Sequence, residues 1–150
     1  MIRFLERLDG FRLKVLVLLI FIAPFATSFI LEHFLSLIPC ILCIAERWMH
    51  FISFLFAGLF IRYSGGKYSL LVVLMCIGIN FGVTVYHIGV EYGIFESSCD
   101  DFSIENIYSV SVKCSIAKYF LGVKLTFWNI LYCIFEFFTI FLYKSLTIKK

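Results

Sequence analysis

Four apolar stretches, each long enough to cross a bilayer, take up most of the chain and leave little from which a soluble core could be built. About 20 apolar residues in a helix span the ~30 Å hydrocarbon layer. Residues 13–35, 41–61, 68–90 and 121–143 each reach that length. Backbone polar groups inside lipid must satisfy one another within the segment, so these runs read as helices. With 62% hydrophobic and 15% charged residues and a mean hydropathy of +1.00, the 150-residue chain lies far from soluble composition. The expected fold is an all-α membrane protein: one domain over residues 1–150, a bundle of four transmembrane helices.

Basic residues orient the bundle. Arg3, Arg7, Arg12 and Lys14 flank the first run, Arg62 and Lys67 the second connection, and Lys144, Lys149 and Lys150 the C-terminus. By the positive-inside rule these ends face the cytoplasm. The first connection (Glu32, His33, Pro39) and the long third one (Glu91, Glu96, Asp100, Asp101, Glu105) are acidic or neutral, with Lys113, Lys118 and Lys124 only at the far end, and should face outward. The first run also has a small-residue cleavage pattern at Ala26-Thr27-Ser28, but its apolar character continues to Leu31 and cleavage would leave an odd number of spans. It is read as a helix, kinked at Pro24.

Six cysteines sort by place. Cys76 and Cys133 fall inside apolar runs, where cysteine behaves as a small hydrophobe. Cys40, Cys43, Cys99 and Cys114 fall in or beside the two outward connections. Cys40 and Cys43 form a Cys-x-x-Cys at a span boundary, where the motif and the positive end of the following helix both favour a thiolate. Arg47 lies four residues beyond Cys43 and shares its helix face, which sets a fixed cation beside a sulfur. Its position alone is equally that of an interfacial arginine snorkelling to water.

Cys99 and Cys114 enclose fourteen residues, and two uses are open to them. A disulfide there would staple the loop, worth about 3 kcal/mol on the chain-entropy argument. Alternatively, a second dithiol within reach of the first can exchange with it through mixed disulfides, and two cysteine pairs on one side of the membrane favour this relay. A zinc site would call for a second close pair or paired histidines, so no metal is expected. Residues 101–119 follow neither helical nor strand period and read as a flexible loop with one short helix on the membrane surface.

Pro39-Cys40-Ile41-Leu42-Cys43 followed by Glu46-Arg47 resembles the first active-site loop and second-helix start of the disulfide bond formation protein B (DsbB) family. Tyr86-His87-Ile88-Gly89-Val90-Glu91-Tyr92-Gly93 leading to Ser98-Cys99 is similar to the third-helix exit of its short members. Cys114, Phe120-Leu121-Gly122 and Trp128-Asn129 resemble the approach to its fourth helix. The interval from Cys99 to Cys114 is shorter than in some better-known members.

The resemblance implies a quinone-dependent thiol oxidoreductase of the bacterial inner membrane, with both termini cytoplasmic and its redox loops periplasmic. A DsbA-like thioredoxin-fold oxidase would arrive reduced and attack Cys99, displacing Cys114. Cys114 would then attack Cys40, and the freed Cys43 would face a membrane quinone, ubiquinone or menaquinone. A terminal acceptor of that kind is needed because the oxidase to be recharged sits near −120 mV, and each 30 mV of deficit costs about 1.4 kcal/mol for two electrons. Arg47 would stabilise a thiolate or the negative charge developing on a quinone oxygen. Glu46 would pair with Arg47 or lie near the quinone. His87 would donate a hydrogen bond or a proton there, or simply be satisfied at the interface.

Two polar residues fall outside this account: His50, one turn beyond Arg47 and read as a bundle contact, and Glu136, an acid deep in the fourth run that needs a partner or a proton. Other readings differ in testable features. A vitamin K epoxide reductase-like protein places its Cys-x-x-Cys after the loop pair rather than before it. A non-catalytic assembly protein would carry a loop disulfide inert to exchange. A transporter would show paired broken helices and more intramembrane charge. The net charge of +3 is accounted for by the anchoring residues, and nucleic acid is not an expected partner whereas membrane lipid is.

Overall fold

The computed structural model describes residues 10–35, 39–63, 67–96, 114–116 and 118–148. Within them the chain forms α1 (Gly10–Leu35), α2 (Ile41–Arg62), α3 (Lys67–Glu91), a two-stranded ribbon of β1 (Tyr119–Phe120) and β2 (Val123–Lys124), and α4 (Leu125–Ile148). Four stretches, Phe11–Phe34, Ile41–Arg62, Lys67–Glu91 and Leu125–Leu146, are long and apolar enough to cross a membrane. The protein is a four-helix membrane bundle. Helix α2 packs between α1 and α3, and α4 closes the bundle against α3 and α1.

An apolar cluster fills the half of the bundle nearest the α2–α3 connection. Val17 and Phe21 of α1 meet Ala57, Phe60 and Ile61 of α2, Val73 and Ile77 of α3, and Cys133, Ile140 and Tyr143 of α4. Cys133 is part of this packing and Cys76 is buried on α3. Phe11, Phe29, Phe34, Phe135, Phe138 and Phe141 stand on the outside. That surface suits hydrocarbon, since lipid offers no penalty for exposed rings. Helix α1 runs through Pro24 without interruption.

The other half is built by helix ends. Helix α3 stops at a Schellman motif: Gly93 takes φ +69, Ile94 N–H donates to Gly89 O (2.8 Å) and Gly93 N–H to Val90 O (3.0 Å). Tyr86 and Phe95 stack across this turn, with ring centroids 5.5 Å apart. The fourth helix departs from expectation. It starts at Leu125 rather than at 121, because Tyr119 to Lys124 fold as a hairpin pairing Tyr119 with Lys124 and Phe120 with Val123. Leu121 (φ 52) and Gly122 (φ 78) both turn left-handed, as a two-residue type I′ connection requires. Trp128 Nε1 donates to Phe120 O at 3.2 Å and pins the hairpin to α4.

Of the loop anticipated over 101–119, residues 101–113 and 117 lie outside the described residues, while 114–116 form a turn and 119–120 a strand; the short surface helix is not found among the described residues. Gly89 is the tightest point of the α3 turn, since a Cβ there would collide with the Phe95 ring. Gly89→Ala should therefore push Phe95 off Tyr86 and cost about 1–3 kcal/mol, the usual range for overpacking. A lowered thermal midpoint in detergent would show it, and an unchanged midpoint would contradict the contact.

Candidate active site at the N-terminus of α2

Cys40 is the N-cap of α2, with φ −79 and ψ 171, and its sulfur accepts the Cys43 backbone N–H at 3.4 Å. Its carbonyl opens the helix by accepting from Ile44 N–H at 3.0 Å. A cap position puts Cys40 Sγ against the unpaired N–H groups and positive end of the helix. The Cys-x-x-Cys spacing then brings Cys43 Sγ to 2.9 Å from Cys40 Sγ. Hydrogen bonding to the Cys43 thiol and burial push the Cys40 thiol up to about 12, while the contact with His87 pulls the other way.

His87 reaches across from the last turns of α3. Its Nε2 lies 3.6 Å from Cys40 Sγ and its Nδ1 3.1 Å from Glu46 Oε1. All three residues are buried. A carboxylate on one ring nitrogen fixes the imidazole's tautomer and presents the other nitrogen to the thiol, an arrangement suited to moving a proton to or from sulfur. Glu46 therefore pairs with His87 and not with Arg47, as helix geometry favours for adjacent residues. Cys114 is 1% exposed and packs with Cys40 and Val90 in one small cluster, edged by Leu42, Cys43 and Tyr86. Cys99 lies outside the described residues.

Arg47 turns toward α1. Its Nη1 lies 2.8 Å from Glu32 Oε2, off-line for a hydrogen bond but close enough for an ion pair, and its guanidinium sits 4.3 Å over the Phe29 ring. Its Nε is buried without an acceptor among the described residues. Behind Cys43 opens a cavity of about 140 Å³, bounded by Pro24, Thr27 and Leu31 of α1, Cys43, Arg47 and His50 of α2, and Trp128, Asn129 and Tyr132 of α4. On α3 and the hairpin side, Glu91 accepts from Thr126 Oγ1 at 3.1 Å and pairs with Lys124 at 3.5 Å, which holds the start of α4 against this end.

The residues singled out in the sequence thus meet here: Cys40, Cys43, Glu46, Arg47, His87 and Cys114 all border one region. Sequence reasoning passed over Glu32 as a partner for Arg47, together with Asn129 and Tyr132 as cavity walls. The Glu-Arg pairing across two helices leaves no local spacing signal, whereas Trp128-Asn129 carries a motif resemblance with no role attached to it. Cys40, Cys43 and His87 place two sulfurs and a nitrogen within 4.8 Å of one another. The two sulfurs, 2.9 Å apart, are closer than the about 3.8 Å that two thiolates on one tetrahedral zinc would take.

Removing the Cys43 thiol deletes the largest upward influence on Cys40. In reduced protein, Cys43→Ala should therefore let Cys40 ionise at lower pH. Its alkylation at neutral pH should accelerate about tenfold, one unit of pKa. A rate equal to that of the native protein would show that burial alone governs this thiol.

Neither the curated proteins nor the solved structures gave a match to the chain. Residues 11–143 match the family described as Disulfide bond formation protein DsbB. The matched interval contains the thiol pair, the Glu46–His87 bridge, Arg47 and nearly all of the four helices. The protein is a multi-pass membrane protein of disulfide-bond formation, with the thiol oxidoreductase chemistry that this implies, and it belongs to the DsbB family.

Proposed function

We propose that the chain is a protein-disulfide:quinone oxidoreductase that recharges a thioredoxin-fold, DsbA-like dithiol oxidase. The observation that carries this reading is the thiol pair at a helix N-terminus with a ring-sized cavity directly behind Cys43. A protein cavity of about 150 Å³ admits a benzene ring, so the volume suits a quinone head group. The buried, unpaired Arg47 N–H supplies a donor for one carbonyl oxygen. A quinone bound there supplies the two-electron acceptor that thiol exchange alone lacks.

The chain's own residues divide the remaining work. Cys99 and Cys114 receive the partner's electrons: its thiolate attacks Cys99 and Cys114 leaves as the thiolate. Cys114 then attacks Cys40 of the Cys40–Cys43 disulfide, and Cys43 leaves. Burial of Cys114 beside Cys40 supports that exchange. His87, held by Glu46, takes or returns the proton at Cys40 Sγ. Arg47, fixed by Glu32 and Phe29, keeps a positive charge at the cavity wall. The partner's second thiol displaces Cys99, Cys99 attacks Cys114 and releases Cys40, and when the Cys40–Cys43 disulfide then closes, two electrons and two protons go to the acceptor.

The location follows from the same reading. The N-terminus of α2, the C-terminus of α3 and the start of α4 share one end of the bundle, whereas Arg62 and Lys67 mark the other. Under the positive-inside rule the thiol end faces the periplasm of a bacterial inner membrane and both termini face the cytoplasm. The chain acts as a single unit over its 150 residues.

The purified protein in detergent should oxidise a reduced thioredoxin-fold partner only when a quinone is supplied, and Cys43→Ser should abolish that turnover. A native protein inert with ubiquinone and menaquinone analogues, and with a loop disulfide that does not exchange, would favour a structural role instead. Arg47→Lys keeps the charge but loses the planar stack on Phe29 and the Nε donor. It should raise the quinone KM by about tenfold, 1.4 kcal/mol, and leave partner thiol exchange unchanged.

A further inference from the structure

A second polar cluster lies deeper in the bundle. His50 stands seven residues beyond Cys43 on α2, about 10 Å along the axis, and lines the inner wall of the cavity. Its Nδ1 is 2.9 Å from Glu136 Oε1, and Glu136 is 0% exposed with Oε2 lacking any partner among the described residues. Its Nε2 is 2.6 Å from Asn129 Oδ1 and 3.0 Å from Asn80 Nδ2, while Asn80 Oδ1 is buried with no partner among the described residues. Asn129 Nδ2 donates to Thr84 Oγ1 at 2.6 Å, and Thr84 Oγ1 donates to Asn80 O at 2.8 Å.

Hydrogen-bond logic fixes the proton count. The single Thr84 hydroxyl hydrogen points at Asn80 O, so Thr84 accepts from Asn129 and the Asn129 oxygen faces His50. Nε2 must then carry a hydrogen; two donors cannot face each other, so the Asn80 amide is turned over, which brings its unpartnered oxygen to Nε2 in place of the like-shaped Nδ2. With Nε2 protonated, the 2.9 Å contact between Nδ1 and Oε1 needs a hydrogen of its own. The pair is either imidazolium with carboxylate or imidazole with carboxylic acid, and each form holds one proton more than imidazole with carboxylate.

The reverse assignment, with Asn129 turned over and Nε2 bare, would leave a net negative charge and a bare carboxylate oxygen in the membrane interior. That is the costlier choice, because Arg47, the cation three residues earlier on α2, is already paired with Glu32. The other titratable groups at helical-neighbour spacing are Glu46, four residues before His50, and Tyr132 and Cys133, four and three before Glu136. Helix α3 presents neutral Asn80 and Thr84 to the pair; at the cavity α1 presents Thr27, Ser28 and Glu32, and α3 presents His87 and Glu91, of which Glu32 is paired with Arg47, His87 with Glu46 and Glu91 with Lys124.

We propose that His50 and Glu136 together store one dissociable proton at the inner end of the cavity and deliver it through His50 Nε2 to the acceptor reduced there. This rests on the quinone reading. Closure of the Cys40–Cys43 disulfide releases two electrons and two protons, and a quinone takes up two of each. One proton enters from the pair: Nε2 gives its hydrogen to the acceptor oxygen, Nδ1 takes the shared hydrogen, and Glu136 is left as carboxylate. One of the two thiol protons then refills the pair, and the other completes the quinol.

Infrared spectra of the quinone-free protein at mildly alkaline pH, native minus Glu136→Gln, read the stored proton directly. A protonated-carboxyl or imidazolium band that disappears in the variant is expected; a carboxylate with neutral imidazole would overturn the proposal. In stopped-flow reduction of a short-chain ubiquinone analogue, Glu136→Gln should slow the quinone step about a hundredfold, the scale of a lost general acid. Thiol exchange with the partner, followed without quinone, should not change, and Glu136→Asp should recover part of the rate. An unchanged quinone step in a folded Glu136→Gln protein overturns the proposal. Failure of the native protein to reduce quinone would overturn the functional reading instead, and with it the delivery step, while the infrared result still decides the stored proton.

Discussion

A polar side chain inside hydrocarbon must find its partner inside the bundle, and this one constraint organises the α2–α3–α4 interface. Glu46 meets His87 and His50 meets Glu136, Asn129 and Asn80, so α2 is tied to α3 near its start and to both α3 and α4 further in. These contacts cross helices at defined heights. They set register between elements that apolar packing alone would leave free to slide, since lipid and leucine are about equally good neighbours.

The thiol chemistry sits where that framework meets the helix ends. The Schellman turn at Gly93 and the type I′ hairpin at Leu121-Gly122 end α3 and begin α4 within reach of the α2 N-cap. Each device is backbone chemistry rather than side-chain chemistry. Together they bring Cys114, Glu91 and Lys124 to the end of the bundle that carries Cys40. A rigid floor of helices and a connection that delivers a further thiol is a sound arrangement for passing disulfides, because exchange needs one sulfur held and another brought to it.

Much of this was legible in the residues. Span length and hydropathy yield four helices, and Pro-Cys-x-x-Cys at a span boundary followed by Glu-Arg points to the site. The rest depends on tertiary pairing. The four-residue spacing from Cys43 marks Arg47 as a cation near sulfur, but its anchor Glu32 lies on another helix with no local signal. Glu136 has no partner legible in the local sequence, because His50 is 86 residues away. Hydropathy alone starts α4 four residues too early, since Phe120-Leu121-Gly122-Val123 is apolar enough to extend a span; only the left-handed conformation of Leu121 and Gly122 shows that it turns.

The central claim is that the cavity behind Cys43 is where the electron acceptor binds. A photoactivatable quinone analogue, crosslinked to the purified protein and mapped by mass spectrometry, tests it directly. The account predicts labels on the cavity walls, in the Pro24–Leu31 stretch of α1 and the Trp128–Tyr132 stretch of α4, lost in competition with unlabelled quinone. Labels confined to Phe11 and Phe34 of α1 and to Phe138 and Phe141 of α4, outside those stretches and unaffected by competitor, would contradict it.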